Sequence, residues 1–203
     1  MQREAKLTIS TFGAILGMAG LEHGIGEVLQ GNTTPSGIMI ESWPNVEAYE
    51  ILAGEPAMTI IPNLLLSGIL SVVVALIMMA WAIRGVGQKH SGTVLILLSL
   101  ILLCVGGGFG PPIIGVIVGL FSVWVNRKSE WIASERPFGR VWPYMLVSGV
   151  LGYLSLWPGL VIFSVFVEVE AFIVIILALF SFSTLVLSLL SSSSYVKKSQ
   201  GVL

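Results

Sequence analysis

Hydrophobic residues form four long uncharged stretches along this chain. The stretches cover residues 56–83, 91–126, 141–167 and 171–196. A helix needs about 20 mostly apolar residues to cross the hydrocarbon core of a bilayer, and every stretch is at least that long. The pattern therefore predicts an all-α integral membrane protein.

The stretch 91–126 contains a helix-breaking sequence near its middle. Residues 106–112 read Gly-Gly-Gly-Phe-Gly-Pro-Pro, and such a run of glycines and prolines does not continue a helix. We therefore expect two short spans here, 91–106 and 111–126, joined by a tight turn. The alternative is one long helix that is broken and tilted.

An additional apolar segment, residues 7–29, precedes these stretches. Its basic start and short apolar core also fit a signal peptide, but residues 18–20 form a poor cleavage site. The apolar pattern also continues beyond that site, which favours a retained helix. The remaining expected spans cover 57–83, 142–166 and 171–190, so the prediction is six spans within one transmembrane domain, residues 1–203.

The positions of the charged residues predict the topology. Lys and Arg favour the cytoplasmic side of short membrane loops. With six spans and the amino terminus inside, all ten Lys and Arg residues fall on that side. A single span over 91–126 would instead place the basic segment 127–140 outside. The charge pattern therefore predicts an N-in/C-in protein that forms a single compact helical bundle.

Three segments outside the expected spans have distinct characters. Residues 31–56 form the predicted outer loop, and Ser-Trp-Pro-Asn at 42–45 is typical of a helix start, so we expect a short interfacial helix over 46–53. Residues 127–141 interleave basic and aromatic residues, as expected for a cytoplasmic loop at an anionic lipid surface. Residues 191–203 are expected to be a flexible cytoplasmic tail.

Composition agrees with a membrane protein and excludes several other classes. Hydrophobic residues make up 55% of the chain and charged residues only 10%, whereas a typical soluble domain is about 25% charged. These values exclude a soluble globular domain, a disordered chain and a nucleic-acid-binding protein. The expected partner is the lipid bilayer of the cell (cytoplasmic) membrane. Six short helices enclose little volume, which makes a homo-oligomer or a partner subunit plausible.

Four glycines of the first segment share one side of its helix. Gly13, Gly17, Gly20 and Gly24 are spaced three or four residues apart, as residues on one helix face are. Small residues let neighbouring helices approach closely in a bilayer. We therefore expect this face to pack against another helix.

The same segment carries three ionisable residues, Glu22, His23 and Glu27. Because a charged group inside a bilayer is costly, we expect them to pair, to line a wet cavity or to lie near the outer interface. One hypothesis is a ligand, ion or proton site in an outward-facing cavity. An equally weighted hypothesis is structural, with His23 and Glu27 bonding to neighbouring helices.

A third hypothesis for this segment is a metal site. His23 and Glu27 are four residues apart, so one helix face carries two metal-binding side chains. The other ligands would have to be glutamates on the same side of the membrane. That requirement favours a divalent cation in a carboxylate-rich site over structural zinc. No other cofactor is predicted.

Two residues at the start of the second expected span extend the candidate site. Glu55 precedes Pro56, and Pro62 frees a backbone carbonyl next to the amide of Asn63. Together with Glu27, these side chains are expected to line an outer vestibule. The alternative is a proline kink in which Asn63 bonds to a neighbouring helix.

These observations favour a small transporter-like or channel-like protein that binds a small solute, an ion or a proton in the outer half of the bundle. A membrane-embedded enzyme that uses Glu and His, with or without a metal, is one rival, although the sequence assigns no catalytic residue. The other rival is a non-catalytic assembly or sensor subunit, in which the polar cluster only sets the helix register.

Overall fold

The structure is a computed structural model that describes residues 1–127, 137–164, 166–167 and 170–194, and it is 74% helical. The helices are α1 (Arg3–Gln30), α2 (Glu47–Glu50), α3 (Leu64–Arg84), α4 (Ser91–Cys104), α5 (Gly110–Arg127), α6 (Trp142–Leu154), α7 (Leu160–Ser164) and α8 (Ala171–Ser192). Two short strands, β1 (Met39–Glu41) and β2 (Pro56–Met58), form an antiparallel pair.

Four helical segments in the described part of the chain are long and apolar enough to cross a membrane. They are Leu64–Arg84, Gly110–Arg127, Phe138–Ser164 and Phe172–Ser192. Helix α4 is also apolar but has only 14 residues. The protein is therefore mostly helical, with four candidate membrane-spanning helices, and is consistent with an all-α membrane protein.

Helix α1 packs along α3 at very short range. Gly13, Gly17 and Gly24 face α3, and Gly20 faces Leu102 of α4. A Cβ atom on Gly24 would lie 2.9 Å from the carbonyl oxygen of Gly68, which is opposite it on α3. The glycines therefore let the two backbones meet without intervening side chains, as small residues do in membrane bundles.

Helices α4 and α5 form an antiparallel pair, in which α4 also contacts α3 and α5 contacts α1. A Cβ atom on Gly92, near the start of α4, would lie 2.6 Å from the carbonyl oxygen of Gly119 in α5. The chain turns between them with φ values of 95° at Gly106 and 78° at Gly108. Glycine adopts these left-handed conformations without the steric penalty of a Cβ atom.

Helices α6 and α7 are joined by a π-helical turn, Ser155–Gly159, and α8 packs against α6. Pro158 lies inside this turn. Proline has no backbone N–H and its ring displaces the preceding turn, so a wider turn relieves the conflict while the helix continues. The Trp157-Pro158 pair thus sits at a local distortion and not at a helix end.

The segment between α1 and α3 folds over one end of the bundle. Ile40 of β1 pairs with Ala57 of β2. The chain then pairs with the turn between α4 and α5, where the N–H of Ile60 donates to the carbonyl oxygen of Cys104 and the N–H of Gly106 donates to that of Met58, both at 2.9 Å. These backbone bonds fix the segment against the α4–α5 turn.

The structure differs from the sequence-based prediction in the segments between the long helices. Where a short helix over 46–53 was expected, α2 covers Glu47–Glu50 and turns follow it. The β1–β2 pair has no counterpart in the prediction, because three-residue strands leave too little alternation to detect. Most of the basic loop 127–141 and of the tail 191–203 lies outside the described residues.

Substitution of Gly68, on the α3 side of the α1–α3 contact, should destabilise the fold. In Gly68→Ala the new Cβ atom would lie 2.5 Å from the carbonyl oxygen of Gly24 and 2.6 Å from the backbone nitrogen of Val28. Backbone atoms cannot rotate away, so we expect the free energy of unfolding to fall by about 1–3 kcal/mol. Thermal unfolding of the purified protein in detergent measures the change.

The matched control is Gly37→Ala, since no heavy atom lies within 4 Å of a Cβ atom at that position. This variant should melt at the wild-type temperature. Equal melting temperatures for wild type, Gly68→Ala and Gly37→Ala would contradict the close backbone contact.

Candidate functional site

Three titratable side chains meet at the end of the bundle that the α1–α3 segment covers. One metal-binding atom from each of Glu22, His23 and Glu55 can be chosen so that all three lie within 4.8 Å of one another. His23 Nε2 lies 3.3 Å from an oxygen of Glu55. Glu22 and His23 are buried, and the side chain of Glu55 is 13% exposed.

Backbone pairing places Glu55 opposite α1. The N–H of Ser42 donates to the carbonyl oxygen of Glu55 at 3.1 Å, and the N–H of Trp43 donates to that of Gly54 at 3.0 Å, so the pairing of β1 and β2 continues past both strands. Glu55 has a φ of 55°. A left-handed conformation costs a non-glycine residue about 1–2 kcal/mol and is often found at functional sites.

A glycine on α1 allows the segment between α1 and α3, residues 31–63, to approach closely, and we call it the covering segment. A Cβ atom on Gly26 would overlap the backbone of Ser42 and lie 2.7 Å from the ring of Trp43. The side-chain amide of Gln30 then donates to the carbonyl oxygens of Glu41 and Ser42, at 2.9 and 3.0 Å. The last turns of α1 therefore hold the segment by close contact and by hydrogen bonds.

Ser42 orients the imidazole of His23. The serine hydroxyl lies 2.9 Å from Nδ1 of the ring, and both residues are buried. If Nδ1 carries the proton and donates to the serine, Nε2 presents a lone pair toward Glu55. A metal-binding histidine usually has its second ring nitrogen engaged in this way, which sets the tautomer and the ring orientation.

Glu22 lies beside three aromatic side chains that carry polar hydrogens, those of Trp43, Tyr49 and Trp157. Trp43 and Tyr49 stack with ring centroids 5.0 Å apart and an interplanar angle of 6°. Within the described residues, the two carboxylate oxygens of Glu22 have no hydrogen-bond partner of normal geometry. The same is true of the indole nitrogens of Trp43 and Trp157. The buried carboxylate therefore keeps acceptor positions for a cation or a water molecule.

Burial also changes the acidity of the groups on the covering segment. It raises the pKa of Glu55 to about 7. Burial, followed by the nearby charges of Glu22 and Glu55, raises the pKa of the Tyr49 hydroxyl above its ordinary value. Among the described residues, Nε2 of His23 lies within ion-pair distance of Glu55, and no Lys or Arg does. A bound cation would supply the positive charge that an ionised Glu55 requires in this position.

A cavity of about 270 Å³ adjoins the cluster. His23 and Glu55 contribute to its wall, and most other lining residues are apolar. They come from α1, the covering segment, α5, the α6–π-turn region and α8: Ala19, Leu52, Gly110, Pro111, Ile114, Tyr153, Leu156, Trp157, Val174 and Ala178. The site thus combines a few polar groups with an apolar chamber, as small-molecule sites commonly do.

The structure separates the other two candidate residues from this cluster. Glu27 is fully buried one turn further along α1, and its carboxylate lies against the backbone of Gly106. Asn63 caps the start of α3, where its side-chain oxygen accepts from the N–H of Leu66 at 2.9 Å, and its amide donates to the side chain of Asn32. The structure therefore gives Asn63 a helix-capping position outside the cluster.

Several residues of the site carry no sequence signal of their role. The pattern at 42–45 predicts a helix start, whereas Ser42 bonds to His23 and Trp43 lies beside Glu22. Trp157 is recognisable from sequence only as part of a helix distortion. Their common function depends on the covering segment, whose course a single sequence does not specify. Only the dense glycines at 24–26 and 106–108 could have indicated unusually close backbone approaches.

Comparison with protein families, with curated proteins and with solved structures gives no match to this chain. The site is therefore interpreted from its geometry and chemistry.

Gly108 should be required for the position of His23. It has a φ of 78°, and a Cβ atom there would overlap Nε2 of the imidazole. We expect Gly108→Ala to lower the free energy of unfolding by more than about 1 kcal/mol, because a left-handed alanine and a displaced histidine both cost energy. Thermal unfolding of this variant measures the loss.

The control variant is Gly110→Ala, two residues away, where a Cβ atom meets nothing within 4 Å. It begins α5 without a positive φ. Wild-type stability in Gly108→Ala would show that His23 does not lie against this turn.

Proposed function

We propose that this chain is a polytopic membrane protein that binds a divalent transition metal at Glu22, His23 and Glu55 and brings it into contact with a small apolar ligand. The observation that carries the proposal is the convergence of these three side chains beside the 270 Å³ cavity. An imidazole and two carboxylates suit Zn²⁺ and similar ions better than Ca²⁺ or Mg²⁺, which prefer oxygen ligands alone.

The number of ligands supports a reactive or ligand-binding metal over a structural one. Structural zinc sites usually have four protein ligands, whereas three protein ligands leave a position for water or substrate. Here the cavity lies next to His23 and Glu55. A ligand in the cavity would therefore be adjacent to the remaining coordination position.

The apolar walls define the class of ligand. Pro111, Ile114, Leu156 and Val174 line the cavity and offer van der Waals contact but no hydrogen bond. A molecule with an apolar body and one polar group would place that group at the metal and the body among these residues. The metal would act on the polar group as a Lewis acid, which is the chemistry of the enzyme alternative.

The proposal includes the six-span, N-in/C-in arrangement predicted from the charges. Helix α1 has 28 residues, enough to cross a bilayer, and its basic residues Arg3 and Lys6 lie in its first turns. The α1–α3 segment, which carries Glu55, lies at the opposite end of α1. The metal site would then be near the outer face of the membrane.

Thiol labelling tests this topology. In a Cys104→Ser background, Thr34→Cys places a thiol in the α1–α3 segment and Gln88→Cys places one between α3 and α4, both at exposed positions. A membrane-impermeant maleimide applied to intact cells should label the first variant and leave the second unlabelled. After cell lysis both should react, and the reverse pattern would contradict the proposed orientation.

Metal binding tests the site directly. Purified wild-type protein should retain one Zn²⁺ per chain in native mass spectrometry after equilibration with the ion. Glu22→Gln, His23→Gln and Glu55→Gln should each weaken Zn²⁺ binding by at least about tenfold, because even loss of a residue that only supports a ligand has effects of that size. Glu47→Gln, an exposed carboxylate in the same segment, is the control.

A variant in the cavity wall tests binding of the apolar ligand independently of metal binding. Ala178→Phe would fill part of the cavity from α8 without replacing a metal ligand. It should keep Zn²⁺ and lose any retained apolar molecule in the same spectra. Absence of Zn²⁺ from the wild type, or equal losses in Glu47→Gln and Glu55→Gln, would overturn the proposal.

A transporter-like protein is the second candidate function. The observation that favours it is the break between α4 and α5, because many secondary transporters bind substrate and coupling ions at interrupted helices. Uptake of Zn²⁺ into sealed proteoliposomes by the wild type, but not by Glu55→Gln, would support transport. Zn²⁺ bound without uptake would support a metal-dependent enzyme or ligand-binding protein.

A further inference from the structure

Glu27 lies in a second polar environment, distinct from the three-ligand cluster. Its side chain is fully buried, and neither carboxylate oxygen has a hydrogen-bond partner among the described residues. The carboxylate lies where a Cβ atom of Gly106 would be, so this glycine makes room for it at the end of α4. A buried carboxylate without compensation is costly, whichever membrane segment carries it.

Several neutral oxygens lie near Glu27. The hydroxyl of Ser67 lies next to the carboxylate. That hydroxyl is also 2.7 Å from the hydroxyl oxygen of Thr59 and 3.0 Å from the carbonyl oxygen of Val105. Thr59 and Ser67 are both buried. Three neutral oxygens are therefore gathered next to one buried carboxylate, and the hydroxyl oxygen of Thr59 also accepts from the N–H of Ile61 at 3.1 Å.

Helix ends add to the electrostatic field at this place. Helix α4 ends at Cys104, so the carbonyl of Val105 belongs to its negative C-terminal end. At 1.5 Å per residue, the 14 residues of α4 span only about 21 Å, less than a hydrocarbon core of about 30 Å. Ser67 lies in the first turn of α3, whose positive end favours an ionised carboxylate.

We propose that Glu27, Ser67, Thr59 and the carbonyl of Val105 bind a sodium ion. The single negative charge of the carboxylate matches a monovalent cation, and the neutral oxygens replace part of its hydration shell. Carbonyls at the ends of interrupted membrane helices coordinate Na⁺ in this way in transporters. The site does not depend on the metal proposed at Glu22, His23 and Glu55, because it shares no ligand with it.

Salt-dependent unfolding tests the sodium site. Wild-type protein is purified in choline chloride, and its melting temperature is measured as NaCl or KCl replaces the choline chloride at constant total ionic strength, with choline chloride alone as the reference. We expect the melting temperature to rise saturably with NaCl only, since an ion that binds the folded state stabilises it by mass action. Equal melting temperatures in the three salts, or an equal rise in KCl, would overturn the proposal.

Substitutions at the proposed ligands test where the sodium ion binds. Glu27→Gln keeps the size of the side chain but not its charge, and it should lose the Na⁺-dependent rise. Ser67→Ala keeps the carboxylate and should require at least about tenfold more NaCl for the same rise. If Glu27→Gln does not fold, Ser67→Ala and Thr59→Val provide the same comparison.

Two control variants show whether the ion binds at this place. Glu22→Gln removes a carboxylate of the neighbouring cluster, and Glu47→Gln removes an exposed one. Both should keep the wild-type response to NaCl. Loss of the response in Glu22→Gln, or its retention in both Glu27→Gln and Ser67→Ala, would exclude a separate sodium site at Glu27.

Discussion

The burial of three carboxylates in an apolar helical bundle is the constraint on which the arrangement of this molecule depends. Glu22, Glu27 and Glu55 are all removed from most of the solvent, and within the described residues only Glu55 has an imidazole, that of His23, at ion-pair distance. Such groups are stable only when oriented donors or cations compensate the lost hydration. The indoles of Trp43 and Trp157 accordingly lie beside Glu22, and the ends of α3 and α4 lie near Glu27.

Close backbone contacts make this concentration of polar groups feasible. The glycines of α1 bring α3 against it, and those at 106–108 let the α4–α5 turn approach His23 and Glu27. Hydrogen bonds from the covering segment to that turn then tie the separate elements together. A polar centre in a small bundle thus depends on glycine, because each larger residue would move the polar groups apart.

Several residues of the site could be picked out from the sequence for physical reasons. Glu22, His23 and Glu27 stand out because charged residues are rare in an apolar helix, and Glu55 stands out beside Pro56. The sequence could not show that His23 lies beside Glu55 while Glu27 lies against Gly106, because helix spacing alone places His23 and Glu27 on one face. Asn63 shows the opposite error, because the sequence suggested a site residue where the structure has a helix cap. An asparagine before a helix fits either role.

By itself, the sequence determined the helical, membrane-type character of the chain, since long apolar stretches have few other stable structures. It also identified the glycine face of α1 and the helix break before Pro111, because both are local properties of the backbone. Only the tertiary structure decided which groups surround each buried carboxylate. Those groups come from segments far apart in the chain, and their meeting depends on how the covering segment pairs with the α4–α5 turn.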